Sequence, residues 1–229
     1  MVQERNFPDI DAGAAALADV LSDSLTEALA SRGRALLAVS GGRTPEKVFP
    51  RLVRSGLSWG DVLVTLSDER WVPADHPDSN EGLARRFLLQ GAAKAASLVG
   101  LHTGAATPWA GQATCEARLA VLPQPFDAIF LGMGPDGHIA SLFPGEPALD
   151  VYPDCSSRCL ACAGPAGSHP RMSLSPCMLL NTRHLFLILS GPEKRAVYER
   201  AKLPGPLSEL PVRLLLHQDR VPLTVFLTP

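Results

Sequence analysis

No stretch of this chain approaches the ~20 consecutive apolar residues of a membrane-spanning helix. Charged residues make up only 19% of the 229 and aromatic ones 6%, with two tyrosines among them. There is no surplus of positive charge either, because the formal net charge is −2. That balance excludes the broad cationic face of a nucleic-acid binder, while leaving room for a local basic pocket. The opening MVQERNFPDIDAG carries acids and has no apolar core of a secretory signal, so a cytoplasmic location away from membranes is expected. Two signatures are missing outright. Without G-x-x-x-x-G-K-[ST] no nucleoside triphosphate is implied. Without a G-x-S-x-G elbow the usual serine-hydrolase route is disfavoured.

Cysteine is scarce. Five residues, an odd number, suit a reducing compartment better than a disulfide framework. Cys155, Cys159 and Cys162 form C-x3-C-x2-C, the spacing that holds a 4Fe–4S cluster in radical enzymes cleaving S-adenosylmethionine. The triplet lies past the middle of the chain, with too few residues after it to build a barrel. Its Ala-, Gly- and Ser-rich surroundings fit small buried or loop thiols. Neither Cys177 nor His169 has a second ligand pair at metal spacing. No metal and no organic cofactor are expected.

What is present is an apolar fraction of 46%, ample for a single core spanning residues 1–229. Leu17, Val20, Leu21, Leu25, Ala28 and Leu29 recur at helical intervals between Gly13 and Ser31, ahead of a stop at Gly33. Short apolar runs at 35–39, 62–66, 126–131, 185–189 and 223–227 read as buried strands, with a weaker one at 98–101 and an alternating one at 171–175. Helical segments fall between them, at 46–55, after Asp78–Glu81, at 112–121 and after Gly191. Strands alternating with helices define an α/β chain with a mostly parallel sheet covered on both faces. The Pro-, Gly-, Ser- and Cys-rich stretch from 145 to 168 reads as a surface excursion.

Three strand ends carry the chemistry. The strand at 35–39 runs into Ser40-Gly41-Gly42-Arg43-Thr44-Pro45, where proline suits a first helical turn. A glycine loop feeding a helix N-terminus is an anion seat, to which Arg43 adds charge. The strand at 62–66 ends in Ser67-Asp68-Glu69-Arg70, which places Arg70 at the same sheet edge unless the two acids merely pair with it in a surface loop. The third, Phe126-Asp-Ala-Ile-Phe-Leu131, ends in Gly132-Met-Gly-Pro-Asp-Gly137 and then His138. This satisfies G-x-G-x-x-G formally, but Pro135, Pro144 and Pro147 leave no room for the long helix a dinucleotide needs. An acid two residues away makes His138 a candidate general base, with Asp136 fixing its tautomer.

Taken together, Ser40–Pro45, Ser67-Asp-Glu-Arg-Trp-Val-Pro73 with Asp78-Ser79-Asn80, and Gly132-Met-Gly-Pro-Asp-Gly-His-Ile-Ala-Ser-Leu-Phe-Pro-Gly145 resemble the 6-phosphogluconolactonase family over essentially the whole length. The resemblance implies a Rossmann-like fold shared with glucosamine-6-phosphate deaminase, no cofactor, and a phosphorylated sugar lactone as the small-molecule partner of a monomer or weak homo-oligomer. It implies that His138 deprotonates water, that Asp136 orients His138, and that Gly41, Gly42, Arg43 and Thr44 hold the phosphate. Arg70 would bind phosphate or face the developing oxyanion, and Arg171 and Lys194 would complete the basic pocket. The family's two threonines after Arg171 are here Ser173 and Ser175. Two other functions compete. An aldose–ketose isomerase or deaminase of the same fold would use Asp68, but the Ile-Ala-Phe-Asn-Glu-Pro run of deaminases is replaced by Ile139-Ala-Ser-Leu-Phe-Pro144, which lacks its glutamate. A non-catalytic sugar-phosphate sensor would have no need of the His138 and Asp136 pair.

Overall fold

The computed structural model describes residues 2–150, 152–153 and 156–229. In chain order its strands are β1 (Val2–Asn6), β2 (Ala35–Val39), β3 (Val62–Leu66), β4 (Asp68–Arg70), β5 (Ser97–Val99), β6 (Ala128–Gly132), β7 (Cys159–Cys162), β8 (Arg171–Leu174), β9 (Leu185–Ser190) and β10 (Leu223–Thr228). The helices are α1 (Ile10–Arg32), α2 (Pro45–Val53), α3 (Asn80–Phe87), α4 (Pro108–Ala120), α5 (Pro176–Leu179), α6 (Pro192–Ala201) and α7 (Arg213–Leu216).

Seven strands form one sheet in the order β1-β10-β9-β6-β2-β3-β5, with every neighbouring pair parallel. Each residue of β2 is buried, as a central strand covered on both faces requires. The chain moves outward from β2 through β3 to β5, then returns to the other side of β2 for β6, β9 and β10. Loops leaving β2 and β6 therefore diverge, and a crevice opens between them at the C-terminal ends of the strands. Local chemistry fixes the flanking helices. Asp9 caps α1 by accepting the Ala12 N–H at 2.8 Å, and Gly33 ends it in the left-handed region at φ 69°. Ser79 caps α3 through the Gly82 N–H at 3.0 Å.

Three features depart from the sequence reading. Val2–Asn6 is a strand, docked at the sheet edge on β10; its polar, exposed side chains concealed it. The acid-rich Asp68–Arg70 is also a strand, not a surface loop, and pairs antiparallel with β8. The 145–168 stretch is not wholly a surface excursion, because β7 joins β4 and β8 in a second, three-stranded sheet with Cys159 and Cys162 buried. Both are free thiols, as is the buried Cys115, while Cys155 lies outside the described residues. Burial pushes the Cys162 thiol well above its ordinary value. Cys177 is disulfide-bonded, where the odd cysteine count had spoken against a disulfide framework. No helix among the described residues is long and apolar enough to cross a membrane.

Glu69 ties β4 to the start of α3. Its buried carboxylate accepts the N–H groups of Arg70, Asn80 and Glu81, each at 2.7 Å, and the Ser79 hydroxyl at 3.0 Å. Burial pushes this carboxyl up to about 7, against the downward pull of those donors. Glutamine offers one acceptor oxygen where two are used, so Glu69→Gln is expected to cost about 1–3 kcal/mol of stability. A group raised in the folded state contributes most below its ordinary value and loses that contribution as pH rises through the folded one. Wild-type stability in chemical denaturation should therefore fall between pH 4.5 and about 7 and level off above it, while Glu69→Gln shows no such decline.

Candidate active site

Ser40 and Gly41 leave β2, Gly42 turns with φ at 100°, and α2 starts at Pro45. A side chain at Gly41 would run into the Asn80 amide, so the loop lies directly on the start of α3. Thr44 occupies the helix cap with its own hydroxyl unused for capping, which leaves that hydroxyl available to an anion at the start of α2.

Across the crevice, the turn after β6 folds back on itself. The Gly134 N–H donates to the His138 carbonyl at 2.9 Å, and the Gly137 N–H to the Gly134 carbonyl at 3.1 Å. Gly137 has φ 85°, and the fold puts even Ala140 at φ 49°. Any side chain at Gly134 would collide with the His138 ring and the Asp136 carboxylate. Within this turn His138 Nδ1 lies 2.6 Å from Asp136 Oδ1, which also accepts the His138 N–H at 3.2 Å. A carboxylate only accepts, so Nδ1 carries the hydrogen and Nε2 keeps its lone pair. Burial pulls the Asp136 carboxyl upward, but the bonds and charge of His138 outweigh it and hold the group below its ordinary value.

Four cations rim the crevice. Arg70 and Arg171 are register partners on β4 and β8. Arg70 Nη1 donates to the Asp78 carbonyl at 2.8 Å and to Asn80 Oδ1 at 3.0 Å. Arg171 lies over the Phe143 ring, 5.5 Å from its centroid, with Nη1 3.8 Å from Asp68. The Nε of each arginine is buried without a protein partner. Arg43 stands on the β2–α2 loop and Lys194 in the first turn of α6; burial, then the charge of Arg43, lowers the Lys194 amine below its ordinary value. Against them stands one buried carboxylate of the lining, Asp68, which accepts the Ser67 hydroxyl at 3.0 Å and the Ser141 hydroxyl at 2.6 Å.

The cleft so formed has a volume of about 260 Å³. Gly41, Gly42, Arg43, Thr44, Arg70, His138, Arg171 and Lys194 all line it, and Asp136 stands behind His138. Sequence reasoning treated Asn80 only as part of a motif and Asp68 only as the acid of the rival isomerase reading, yet both line the cleft. Ser141, which anchors Asp68, carried no signal beyond its place in the run after His138. A sheet-end crevice with a His–Asp pair facing a cluster of cations defines an α/β protein that handles a small anionic ligand.

The family model for glucosamine-6-phosphate isomerases and 6-phosphogluconolactonase matches residues 8–224. A 6-phosphogluconolactonase of Mesorhizobium japonicum is 42% identical, over 97% of this chain and 94% of that protein. The crystal structure of a 6-phosphogluconolactonase from Shewanella baltica superposes with a TM-score of 0.95 at 38% identity, covering 100% of this chain and 98% of that one. A monomeric glucosamine-6-phosphate deaminase shares the fold at 18% identity, with a TM-score of 0.82 over 98% and 97% of the two chains. The chain belongs to the glucosamine-6-phosphate isomerase/6-phosphogluconolactonase family.

If the cation cluster is an anion seat, removing either charge on its Arg43 side should weaken inorganic phosphate. Arg43→Ala and Lys194→Ala are each expected to cost about 1.5–3 kcal/mol in calorimetric titration, with exposed Arg43 at the lower end. The Lys194 share is lost as pH rises through an amine value that lies below 10.5. Lys194→Arg should remove that alkaline decline.

Proposed function

We propose that this chain hydrolyses 6-phospho-D-glucono-1,5-lactone to 6-phospho-D-gluconate, the second step of the oxidative pentose phosphate pathway. The observation that carries the reading is the His138 ring, tethered at Nδ1 by Asp136 and lining the same cleft as four cations. The phosphate lies against Arg43, Thr44, Lys194 and the amides of Gly41 and Gly42. Anchoring that remote group brings the lactone carbonyl to the His138 side, where binding energy is turned into rate. His138 Nε2 takes a proton from water as the water oxygen bonds to the lactone carbon. Asp136 stabilises the imidazolium that results. Arg70 and Arg171 carry the charge that develops on the carbonyl oxygen. The intermediate collapses by breaking the bond to the ring oxygen, which receives the proton from His138. A lactone is an activated ester, so one base and electrostatic support suffice without a covalent nucleophile.

Asp68 is where the isomerase reading would need its base. It faces the cleft, but the Ser67 and Ser141 hydroxyls and the Arg171 guanidinium already occupy its oxygens. That engagement favours a fixed acceptor over a proton shuttle.

His138→Ala is expected to lower kcat for the lactone by ~10²–10⁴ while product affinity stays near wild type, the share of a general base. Turnover is followed as acid release in lightly buffered solution, corrected for spontaneous ring opening. Wild-type kcat in this variant would remove the assignment. Gly134→Ala should displace the same ring and cost about 10²-fold in kcat. Release of ammonia from glucosamine 6-phosphate should be absent; its appearance would favour the deaminase chemistry.

A further inference from the structure

Beyond the cleft, the β4–β8 ladder continues past Arg70 and Arg171. The Trp71 N–H donates to the Pro170 carbonyl at 2.8 Å, and the two strands then part. Just beyond, two imidazoles and a carboxylate converge from segments 91 residues apart. His169 Nε2 lies 3.2 Å from Asp78 Oδ2, and His76 Nδ1 lies 3.9 Å from the same oxygen. The His76 and His169 rings meet edge to face with centroids 5.3 Å apart. One donor atom from each residue falls within 4.8 Å of the other two, and this is the one such group of three among the described residues.

We propose that His76, Asp78 and His169 form a site for a divalent transition-metal ion of the Zn2+ type, separate from the catalytic cleft. Two ligand atoms on a tetrahedral zinc, each about 2.0–2.2 Å from it, lie about 3.3–3.6 Å apart. The present separations need only small side-chain rotations to reach that. Two neutral imidazoles with one carboxylate favour Zn2+ over Mg2+ or Ca2+, which take oxygen ligands. His76 Nδ1 already accepts a hydrogen bond from the Asp78 N–H at 3.1 Å, so its lone pair points toward Asp78. The ion replaces that weak bond and the His169–Asp78 contact, and water completes the fourth position. All three residues are accessible to solvent, with side chains 37%, 58% and 42% exposed, so an ion can enter without rearrangement of the core.

The placement gives the site a consequence. The Asp78 carbonyl holds Arg70, and His169 stands two residues before Arg171. A metal at Asp78 Oδ2 and His169 Nε2 staples together the two segments that carry both arginines. The site does not depend on which reaction the cleft performs.

The test uses the full chain without a polyhistidine tag, stripped with a chelator and titrated with Zn2+ against a chromogenic competitor. One equivalent is expected to bind, with affinity lowered tenfold or more in His76→Ala and in His169→Ala. His138→Ala should bind as wild type does, because its ring belongs to the other site. Melting temperatures in excess chelator, equal across the variants, show that these exposed substitutions leave the fold intact. Co2+ in place of Zn2+ should give the visible absorption of a tetrahedral site in wild type and lose it in His169→Ala. No stoichiometric binding by wild type, undiminished binding in both cluster variants, or loss of binding in His138→Ala would each overturn the proposal.

Discussion

The hydrogen bond between the His138 ring and Asp136 exists because nothing larger than a hydrogen projects from Gly134. The ring and the carboxylate occupy the volume that any other residue's Cβ would claim. The turn is held from both ends, by the Gly134 amide on the His138 carbonyl and by the Val212 amide on the Gly137 carbonyl at 2.9 Å. The imidazole therefore has its tautomer and direction set by main-chain geometry before any ligand arrives. Under the proposed chemistry this is preorganisation in a literal sense, since little reorientation remains to be done at the moment of reaction.

The cation side of the cleft is built on the opposite principle. Arg43, Arg70, Arg171 and Lys194 face a common space with Asp68 as the only carboxylate of the lining among the described residues. Burial disfavours the charged forms of Arg171 and Lys194, and like charge in the cleft adds to that cost. The unfavourable energy is kept bounded by local anchors: the Asp78 carbonyl and Asn80 for Arg70, Asp68 and the Phe143 ring for Arg171. Under the proposed function, the phosphate of the ligand relieves it. The same burial that weakens the empty pocket strengthens each charge-assisted bond once the anion is in place.

Much of this was legible in the sequence because strand ends announce themselves. Short apolar runs leading within two residues into glycine marked β2, β6 and β9, and with them the crevice, since the loops after β2 and β6 must diverge if the sheet is doubly wound. Gly41, Gly42, Arg43, Thr44 and His138 of the cleft lining were read from those loops, whereas Arg70 and Arg171 stand on β4 and β8. What stayed hidden had no periodicity to show. β1 presents exposed polar side chains, as an edge strand does, and its apolar content lies in its partner β10. β4 is three charged residues whose burial is made tolerable by Glu69 and Asp68 bonding to groups 10 to 73 positions away. β7 looked like loop because small residues and thiols pack under α4 without an apolar signature. His169 appeared partnerless for the same reason: its neighbours come from a distant segment.

The two arginines of the ladder show why pairing short strands across a cleft is useful. Arg70 and Arg171 sit opposite each other on β4 and β8, so their backbones are fixed relative to one another by main-chain hydrogen bonds. Their side chains are held differently. Two acceptors grip Arg70 Nη1, whereas Arg171 rests on an aromatic face with a 3.8 Å ion pair. A guanidinium gripped by neutral acceptors keeps its full charge for a ligand. One paired with a carboxylate has part of its field cancelled until a stronger anion competes. Under the proposed chemistry, this makes Arg70 the constant source of positive potential and Arg171 the group that responds as negative charge grows on the carbonyl oxygen. Arg70 depends on Glu69, because the carboxylate that fixes the Arg70 and Asn80 amides also fixes where the Arg70 anchors stand.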